Sequence, residues 1–259
     1  MEGAFFADDM HTLLLVDGTN VVMRCASVPA FTPVEAIAAA VRIVERAVDT
    51  IGASHVIIAF DSAEESIRKQ TYPAYKANRT SDTTPWVAGA TAAYAAAGFY
   101  WTACAGFEAD DVIATIAARA QGRQPIAVLS SDSDLLALSS AHVTVWRFEK
   151  DVRGGIAPWS VERVCEKYGI PTPQHLTLYK ALVGETGDNV PGVPKIGPVR
   201  ARKLIAEFGT LDMMKRLGVL NEHAAWAEQA ATLLSLYDFA PVPPIDPARI
   251  RVARPLASR

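Results

Sequence analysis

Cysteine is scarce in this sequence of 259 residues, which contains three, Cys25, Cys104 and Cys165. Their number is odd, they lie far apart, and no Cys-x-x-Cys pair is present. The sequence therefore has neither a disulfide framework nor the usual cysteine pattern of a zinc site. We expect three reduced thiols that are half-buried and chemically inert.

Long apolar runs and an excess of basic residues are also missing. The first eleven residues contain Asp8 and Asp9 and no basic segment followed by an apolar one, which indicates that they are not a signal peptide, and Met10 is an alternative start. No membrane anchor is recognisable, so we expect a cytoplasmic protein. We also expect a monomer. The formal net charge of −3 does not exclude a nucleic-acid partner, because a cluster of acids would mask local basic surfaces in the total.

The composition, with 50% hydrophobic and 20% charged residues, is that of a globular chain able to bury a full core. Three short apolar runs, at 12–16, 56–60 and 126–129, are typical of strands buried on both faces of a parallel sheet. Between the first two, residues 33–51 carry apolar side chains at helical spacing after Thr32, a plausible N-cap. The pattern predicts an α/β fold with a mainly parallel central sheet flanked by helices.

An aspartate follows each predicted strand directly or nearly so, and further acids lie close by in the sequence. The carboxyl ends of the strands of an open α/β sheet meet at one edge, where ligands bind, so these acids are expected to converge. Converging carboxylates repel one another unless divalent cations lie between them, and Mg²⁺ or Mn²⁺ prefers such oxygen ligands. Two such ions on one phosphodiester make a nuclease. The candidate ligands are Asp17, Asp61, Glu108, Asp110, Asp111, Asp132, Asp134, Glu185 and Asp188.

Part of this acidic pattern also has a purely structural explanation. Glu108, Asp110 and Asp111 open a predicted helix, where acids in the first turn complement the helix dipole. One or two acids would be explained in this way, but three exceed what the dipole requires, so a metal site is favoured. Asp17 in Asp17-Gly18-Thr19-Asn20 is equally consistent with an ordinary turn. The constellation, and no single member, supports the metal site.

The first of two locally basic stretches, residues 68–79, interleaves cations with aromatic residues. This mixture suits a phosphate backbone with unstacked bases, because aromatic stacking accepts any base. The alternative is a solvated loop with two packed tyrosines. The stretch leaves the sheet edge that carries the acids, which favours a function, and its candidate residues are Arg68, Tyr75, Lys76 and Arg79.

The second basic stretch, residues 191–203, predicts a tight Gly/Pro hairpin that leads into a helix with Pro198 in its first turn. The free N–H groups of a helix N-terminus together with nearby cations can hold a backbone phosphate without reading sequence. A plain helical hairpin is the alternative, which the basic excess disfavours. The candidate cations are Lys195, Arg200, Arg202 and Lys203.

Seven short motifs together resemble the 5′ nuclease family, which includes flap endonucleases, phage 5′ exonucleases and the N-terminal 5′ nuclease domain of bacterial DNA polymerase I. The motifs occur in the family's order and span the chain from Thr12 to about Leu217. No polymerase sequence follows them, so the chain resembles a free-standing member. The matching segments are Leu15-Val16-Asp17-Gly18, Phe60-Asp61, Tyr75-Lys76-Ala77-Asn78-Arg79, Phe107-Glu108-Ala109-Asp110-Asp111, Ser131-Asp132-Ser133-Asp134, Gly187-Asp188-Asn189-Val190-Pro191-Gly192-Val193 and Ile196-Gly197-Pro198.

The resemblance implies a structure-specific 5′ nuclease, both 5′-3′ exonuclease and flap endonuclease, that serves DNA replication and repair. Such an enzyme hydrolyses DNA phosphodiesters by divalent-metal catalysis and leaves a 5′-phosphate and a 3′-hydroxyl. Its implied substrates are DNA with a free 5′ end, flap, nick or gap, and an RNA primer in an RNA–DNA hybrid. One metal would be held by Asp17, Asp61, Glu108, Asp110 and Asp111, and a second by Asp132, Asp134, Asp188 and Glu185.

The resemblance also implies roles for the basic stretches. Lys76 corresponds to the arch lysine that contacts the scissile phosphate, and Arg68 and Arg79 correspond to arch residues that grip or thread the 5′ strand. The hairpin and the following helix correspond to a helix-hairpin-helix-like element that binds duplex DNA, commonly with K⁺ held by backbone carbonyls. The implied hairpin contacts are Gly192, Val193, Lys195, Ile196, Gly197, Arg200, Arg202 and Lys203.

Two positions depart from the family pattern. Family members usually have Gly-Asp where this chain has Gly184-Glu185, so one implied ligand of the second metal is a methylene longer. The hairpin usually has glycine where Lys195 stands, and glycine serves a positive φ or a close approach there. The local backbone shape of the hairpin is therefore in question, and the added charge would compensate on the DNA side.

We expect three regions along the chain. The first is a nuclease α/β core at 12–157 with an arch at about 64–100, the second is a helical region at 158–239 that contains the duplex-binding element, and the third is an extended tail at 240–259. Short elements are expected in the second half of the chain, with a strand and turn at 155–159 and helices at 158–168, 173–183 and 221–237.

Two other functions stay open. A metal-dependent ribonuclease of the acid-cluster type would share the sheet but lack the basic hairpin at 191–203. A DNA-binding protein with a degenerate site is suggested by Glu185 alone, since the other eight acids are present.

Overall fold

The computed structural model describes residues 11–79 and 82–252 of the chain. Within these residues, six strands form one sheet in the order β3-β2-β1-β4-β5-β6. All neighbouring pairs are parallel except β5 and β6. The predicted α/β class with a mainly parallel sheet is confirmed. The strands are β1 (Leu13–Asp17), β2 (His55–Ala59), β3 (Tyr100–Thr102), β4 (Ile126–Leu129), β5 (Val143–Phe148) and β6 (Ile156–Trp159).

Alternate residues of the central strands feed two separate cores, as the two-residue period of a strand requires. Leu14 and Val16 of β1 pack beneath α1 (Gly18–Ala26), α2 (Pro33–Ile51) and α4 (Thr84–Ala96) on one face. Leu13 and Leu15 pack on the other face, beneath α5 (Ala109–Ala120) and the C-terminal helices. The acids that end the strands therefore lie at an edge that both layers flank.

The first β-α-β unit follows the sequence closely. Helix α2 has the predicted bounds, and Thr32 and Glu35 close a reciprocal capping box at its start. The alternative interpretation of Asp17, as part of an ordinary turn, is wrong. Strand β1 leads directly into α1, and Asp17 is the N-cap of that helix. The terminal residue of a buried strand is thereby fixed at the carboxyl edge.

The expected arch at about 64–100 divides into two parts. A short helix, α3 (Ile67–Thr71), and a run of turns cross towards the acids. Helix α4 instead packs against α1 and α2 through the buried Ala90 and Tyr94, so it belongs to the core layer. Thr80 and Ser81 lie outside the described residues.

The C-terminal part is helical, as predicted, and a two-stranded ribbon interrupts it. The predicted helices at 158–168, 173–183 and 221–237 are shorter in the structure by two or three residues at one or both ends, where the end of β6, a 3₁₀ turn or a loop replaces them. The elements are α6 (Val161–Tyr168), α7 (His175–Val183), β7 (Gly184–Glu185), β8 (Val190–Pro191), α8 (Pro198–Phe208), α9 (Leu211–Arg216), α10 (Ala224–Leu234) and α11 (Pro247–Ile250).

The prediction of an extended tail at 240–259 is wrong for residues 240–252, the part of the tail that the structure describes. Val242, Ile245 and Ile250 are buried, and α11 forms within this segment. The guanidinium of Arg119 donates to the carbonyls of Val242 and Ala240, at 2.8 and 3.2 Å. The tail packs on the protein because the apolar residues between its prolines bury their side chains. The prediction was based on the proline and arginine content, which does not show this. Residues 253–259 lie outside the described residues.

The remaining predictions on composition concern the cysteines, the membrane and the N-terminus. All three cysteines are free thiols, and Cys25 and Cys104 are more deeply buried than expected. No helix in the described part of the chain is long and apolar enough to cross a membrane. The predictions for residues 1–10, on a signal peptide and the start at Met10, concern residues that are not described.

Candidate active site

Two strand ends and two helix starts position the first acids. The Asp17 carboxylate accepts hydrogen bonds from the Asn20 backbone N–H at 2.9 Å and from the Ser130 hydroxyl at 2.8 Å. Asp61, just after β2, accepts from the Ala109 N–H at 2.8 Å. The two carboxylates are thus tied to the starts of α1 and α5 and to the end of β4.

The start of α5 presents three acids with different surroundings. Glu108 is the N-cap, and it exchanges hydrogen bonds with Asp111 in a capping box. Asp111 is fully buried, whereas Asp110 has one buried carboxylate oxygen, Oδ1, without a hydrogen-bond partner. Oxygens of these three carboxylates lie within 4.8 Å of one another. The helix dipole accounts for acids here but leaves the orphaned oxygen of Asp110 unexplained.

A cavity of about 360 Å³ opens between these elements, and we call it the acidic cavity. Its wall contains five of the nine predicted metal ligands together with two of the predicted phosphate-binding cations. The remaining four predicted ligands lie outside the wall. The lining residues named in the predictions are Asp17, Asp61, Glu108, Asp110, Asp132, Lys76 and Arg79.

Arg68 differs from the expectation that it grips a DNA strand. Its side chain is buried, and all five N–H donors of the guanidinium are used. Two donate to Asp111 at 2.6 Å each and one to Glu108 at 3.1 Å. The other two donate to the carbonyls of Leu233 and Ser235, at 2.9 and 2.5 Å. Arg68 therefore joins α5 to the end of α10, and it is not exposed to a substrate.

Tyr75 also departs from its predicted role. Its ring is buried and cannot stack on a base in this arrangement, and its hydroxyl donates to Glu108 at 3.0 Å. The alternative of packed tyrosines describes this residue correctly. Lys76 and Arg79 do reach the acidic cavity, where they pair with Glu108 at 2.8 Å and with Asp188 at 2.6 Å.

Lys180 is the residue that the sequence analysis missed. From the buried face of α7 its ammonium group pairs with Asp134 and, at 2.9 Å, with Glu185. The sequence does contain a signal for this ion pair. Lys180 lies four residues after Leu176 on an otherwise apolar helix face, and a buried lysine is rare unless an acid pairs with it. Asp134 and Glu185 therefore share one protein cation, whereas the prediction made them ligands of a second metal.

The nine acids thus fall into two groups among the described residues. Five form ion pairs with Arg68, Lys76, Arg79 or Lys180. Four form none, and all four line the acidic cavity. Carboxylate oxygens without an ion pair, one of them also without a hydrogen bond, fit a hard divalent cation. The unpaired acids are Asp17, Asp61, Asp110 and Asp132.

Protonation follows this division. Burial, and then the charge of Asp61, raises the pKa of Asp17 to about 7. Burial raises the pKa of Asp61, and burial together with Asp111 raises that of Asp110 well above its usual value. Glu108 is different, because Lys76 and Arg68 outweigh the effect of its burial and lower its pKa. A cation bound at this position would stabilise the ionised form of the three acids with raised pKa values most.

The hairpin before α8 keeps a tight shape. A Cβ on Gly192 would lie 2.2 Å from the carbonyl oxygen of Val183, so only glycine fits there. Lys195 adopts a left-handed φ of 63°, a conformation for which glycine is usually needed, so the lysine stands at a position that favours glycine. Val193 and Ile196 are buried beneath the hairpin and support it.

The predicted DNA contacts on this element divide by exposure. Lys195, Arg200 and Lys203 are exposed, as is the backbone of Gly197 at the N-cap of α8. Arg202 is half-buried, and its Nε–H donates to the carbonyl of Tyr168 at 2.7 Å. This contact links α8 to α6, so Arg202 is less accessible to a DNA phosphate than predicted. Val193 and Ile196 present no side chain to a ligand because they are buried.

Two family models cover nearly all of the described chain. One is the 5′-3′ exonuclease N-terminal resolvase-like domain, which matches residues 12–169, and the other is the 5′-3′ exonuclease C-terminal SAM fold, which matches residues 171–243. The chain belongs to the 5′-3′ exonuclease family. The predicted resemblance is confirmed.

Similar proteins agree with this family. A 5′-3′ exonuclease of Bacillus subtilis is 31% identical over 221 residues, which are 84% of this chain and 70% of that protein. DNA polymerase I of Bacillus caldotenax is 37% identical over 166 residues, but this chain spans 18% of the polymerase's length. A bacteriophage T5 flap endonuclease, solved in a pseudo-enzyme-product complex with DNA and metal ions, shares the fold with a TM-score of 0.73 at 22% identity, over 87% of this chain and 89% of that one.

Replacing Arg68 tests whether it holds this exonuclease-family fold together. Arg68→Gln leaves the fully buried Asp111 without its counterion, which typically costs about 3–5 kcal/mol of the free energy of unfolding. Lys215→Gln, in an exposed pair with Glu228, is the matched control and should cost less than about 1 kcal/mol. Urea unfolding measures both, and equal losses would contradict a structural role for Arg68.

The raised pKa of Asp17 predicts how stability depends on pH without metal. An unfolded aspartate ionises near pH 4 and Asp17 near pH 7, so the folded state holds the extra proton between these values. The free energy of unfolding therefore falls as pH rises through this window. In EDTA the melting temperature should be lower at pH 8 than at pH 5.5, and Mg²⁺ or Mn²⁺ should raise it mainly at pH 8.

Asp17→Asn is the control for this prediction, because asparagine carries no proton to lose. In EDTA the variant should show a weaker fall in melting temperature between pH 5.5 and pH 8 than the parent. A parent whose melting temperature responds to neither pH nor metal would show that the acidic cavity does not concentrate negative charge.

Proposed function

We propose that this chain is a divalent-metal-dependent, structure-specific 5′ nuclease acting on DNA, with 5′-3′ exonuclease and flap endonuclease activity. The observation that carries the proposal is the acidic cavity, where four carboxylates without a cation partner face Lys76 and Arg79. Family membership supports the same chemistry. The products would be a 5′-phosphate and a 3′-hydroxyl, and the substrates DNA with a free 5′ end, flap, nick or gap.

The unpaired acids would hold the metal, as Mg²⁺ or Mn²⁺. When bound there, such an ion supplies Lewis acidity and lowers the pKa of water. Asp17 and Asp61 are held rigidly by backbone and hydroxyl donors, which preserves their spacing. Asp132 is ordered by the Ser130 hydroxyl, which accepts from the Asp132 N–H at 2.9 Å.

Lys76 and Arg79 would meet the scissile phosphate. Both reach the acidic cavity, and each is attached to an acid at present, Lys76 to Glu108 and Arg79 to Asp188. A phosphate entering the cavity offers these cations a second anionic partner and aligns the phosphodiester with the acids. Lys76 also has a left-handed φ of 53°, a backbone conformation that costs energy in a lysine and is found more often at functional sites.

A second ion would occupy the group formed by Asp132, Asp134, Glu185 and Asp188. It must displace or share the protein cations, because Lys180 pairs with Asp134 and Glu185 and Arg79 pairs with Asp188. The second site would therefore fill more weakly than the first.

The hairpin would hold the duplex next to the cut. Lys195, Arg200 and Lys203 surround the exposed start of α8, where free N–H groups attract a phosphate. The family resemblance adds K⁺ at this hairpin, RNA primers in RNA–DNA hybrids as further substrates, and a role in replication and repair. A monomeric state and a cytoplasmic location complete the proposal.

The central test of the function is Asp132→Asn. This change removes the charge of an unpaired acid but keeps its volume, so it should abolish cleavage of a 5′-labelled flap and of a nicked duplex in Mg²⁺ while leaving DNA affinity within about twofold. Asp151→Asn, on the exposed loop after β5, is the matched control and should cleave normally. Full cleavage by Asp132→Asn would sink the metal assignment, and cleavage of single-stranded RNA alone would favour the ribonuclease.

Glu185 predicts the choice of metal. Its extra methylene adds a rotatable bond, and Mg²⁺ demands stricter octahedral geometry than Mn²⁺ tolerates. We expect cleavage by the parent to be faster in Mn²⁺, Glu185→Asp to narrow the difference by raising the rate in Mg²⁺, and Glu185→Ala to slow both. Single-turnover metal titrations measure this, with the exposed Glu207→Asp as control. Equal rates in the two metals, unaffected by either change, would place Glu185 outside the metal site.

A further inference from the structure

The segment from Ser130 to Asp134, which we call the acid loop, carries Asp132 in its middle. At its start, the Ser130 hydroxyl donates to the carboxylate of Asp17 at 2.8 Å. At its end, Asp134 pairs with the ammonium group of Lys180. Both ends of the acid loop are thus held by other elements, and the place of Asp132 depends on the contacts of the residue before it.

Ser131, the residue before Asp132, is held through its backbone on both sides. Its N–H donates to the side-chain oxygen of Asn20 at 2.9 Å, and its carbonyl accepts from the guanidinium of Arg147 at 2.5 Å. The N–H in the same peptide group as that carbonyl belongs to Asp132, and it donates to the Ser130 hydroxyl at 2.9 Å. Because a peptide group is planar, these three contacts fix both peptide planes that precede the Cα atom of Asp132.

Asn20 joins the acid loop to Asp17. Its backbone N–H donates to the Asp17 carboxylate at 2.9 Å, while its side chain accepts from Ser131. Asn20 is the third residue of α1, where a glutamate or glutamine commonly bonds back to the N-cap, and asparagine is a weak helix former. Its side chain instead reaches the acid loop, 111 positions later in the chain. Asn20 therefore couples the positions of two unpaired carboxylates, Asp17 and Asp132.

Arg147 contacts the acid loop from outside the acidic cavity. It lies on β5 and not on the cavity wall, and it forms no ion pair with another residue in the described part of the chain. Its guanidinium lies 5.1 Å from the centroid of the Trp159 ring on β6, which supports the side chain. By its charge alone, a cation behind the acid loop would oppose a metal ion in the cavity. Its hydrogen bond to the Ser131 carbonyl is the contact that would favour metal binding.

We infer that Asn20 and Arg147 are positioning residues that set the distance between Asp132 and Asp17 for the metal ion of the acidic cavity. This inference rests on the proposed nuclease function, which requires that ion. Residues that orient metal ligands without touching the metal typically contribute about 10- to 100-fold to metal affinity. Removing Arg147 has two opposite effects, because the lost hydrogen bond loosens the acid loop and the lost charge lowers the repulsion of a metal ion. The direction in which metal affinity changes therefore shows which effect dominates.

The test measures Mn²⁺ binding directly, without DNA, from the electron paramagnetic resonance signal of the free ion. Asn20→Ala removes the side-chain acceptor and keeps the backbone N–H that bonds to the N-cap of α1. Arg147→Met removes the donor and the charge and keeps an unbranched side chain against Trp159. Arg163→Met is the matched control, because Arg163 also lies over the Trp159 ring, at 4.3 Å, but pairs with Glu149 instead of bonding to the acid loop.

We expect the dissociation constant of the tightest Mn²⁺ ion to rise about 10- to 100-fold in Asn20→Ala and in Arg147→Met. It should stay within about twofold of the parent's in Arg163→Met, where the lost charge is exposed and screened by salt. Arg147→Lys keeps the charge and one donor, so it should lose less than Arg147→Met. Asp132→Asn should weaken Mn²⁺ binding by itself, and adding Arg147→Met should change it little further, because both changes act through one carboxylate.

Cleavage of the 5′-labelled flap separates positioning from a loss of structure. In single-turnover titrations, the Mn²⁺ concentration that gives half the maximal rate should rise by the same factor as the dissociation constant. The maximal rate in excess Mn²⁺ should return to within about threefold of the parent's, since the metal ligands themselves are unchanged. A variant that only damages the fold would lose its rate at every Mn²⁺ concentration, which would contradict a positioning role.

Other results would also overturn the inference. If Arg147→Met binds Mn²⁺ as tightly as the parent or more tightly, Arg147 acts on the metal site only through its charge. If Asn20→Ala weakens binding and Arg147→Met does not, Asn20 contacts the metal itself and does not act through Ser131. If Arg147→Met weakens binding equally with and without Asp132→Asn, it acts on a different acid.

The inference and the proposed function fail in different ways. A parent that binds Mn²⁺, with variants that show the expected losses, but that cleaves no DNA would refute the nuclease function alone. A parent that cleaves DNA while Asn20→Ala and Arg147→Met bind Mn²⁺ normally would refute the inference alone.

Discussion

Repulsion among nine carboxylates at one sheet edge is the constraint on which this structure depends. Four protein cations form ion pairs with five of them, and the other four carboxylates line one cavity without an ion pair. Such a concentration of charge persists only if the fold is strong enough elsewhere to hold it. A divalent cation that binds there relieves the repulsion among the remaining four carboxylates. Protein stability and metal binding therefore depend on the same residues.

Arg68 connects this electrostatic arrangement to the fold. It is the counterion of the buried Asp111, and it also holds the carbonyls that end α10. The first turn of α5, which carries three of the acids, is thereby fixed against the C-terminal helical region. That region also supplies Lys180 and the hairpin, so the sheet edge and the predicted DNA contacts are positioned by one continuous set of buried contacts.

Much of the fold and of the acid cluster could be predicted from the sequence because their signals are local. Apolar runs that end near an aspartate predict the strands, and the N-cap Thr32 predicts the start of α2. The division of the acids could not be predicted, because it depends on contacts between distant residues: Arg68 meets Asp111, and Lys180 meets Glu185 only after α7 turns into β7. The burial of Tyr75 and of the tail at 240–252 likewise follows from tertiary packing.

The measurement that tests the central claim most directly is anomalous diffraction from crystals of the protein soaked in Mn²⁺. The account predicts the strongest peak among Asp17, Asp61, Asp110 and Asp132, with the ion pairs of Arg68 and Lys180 intact beside it. A strongest peak between Asp134 and Glu185, with Lys180 displaced and no ion among the four unpaired acids, would contradict it.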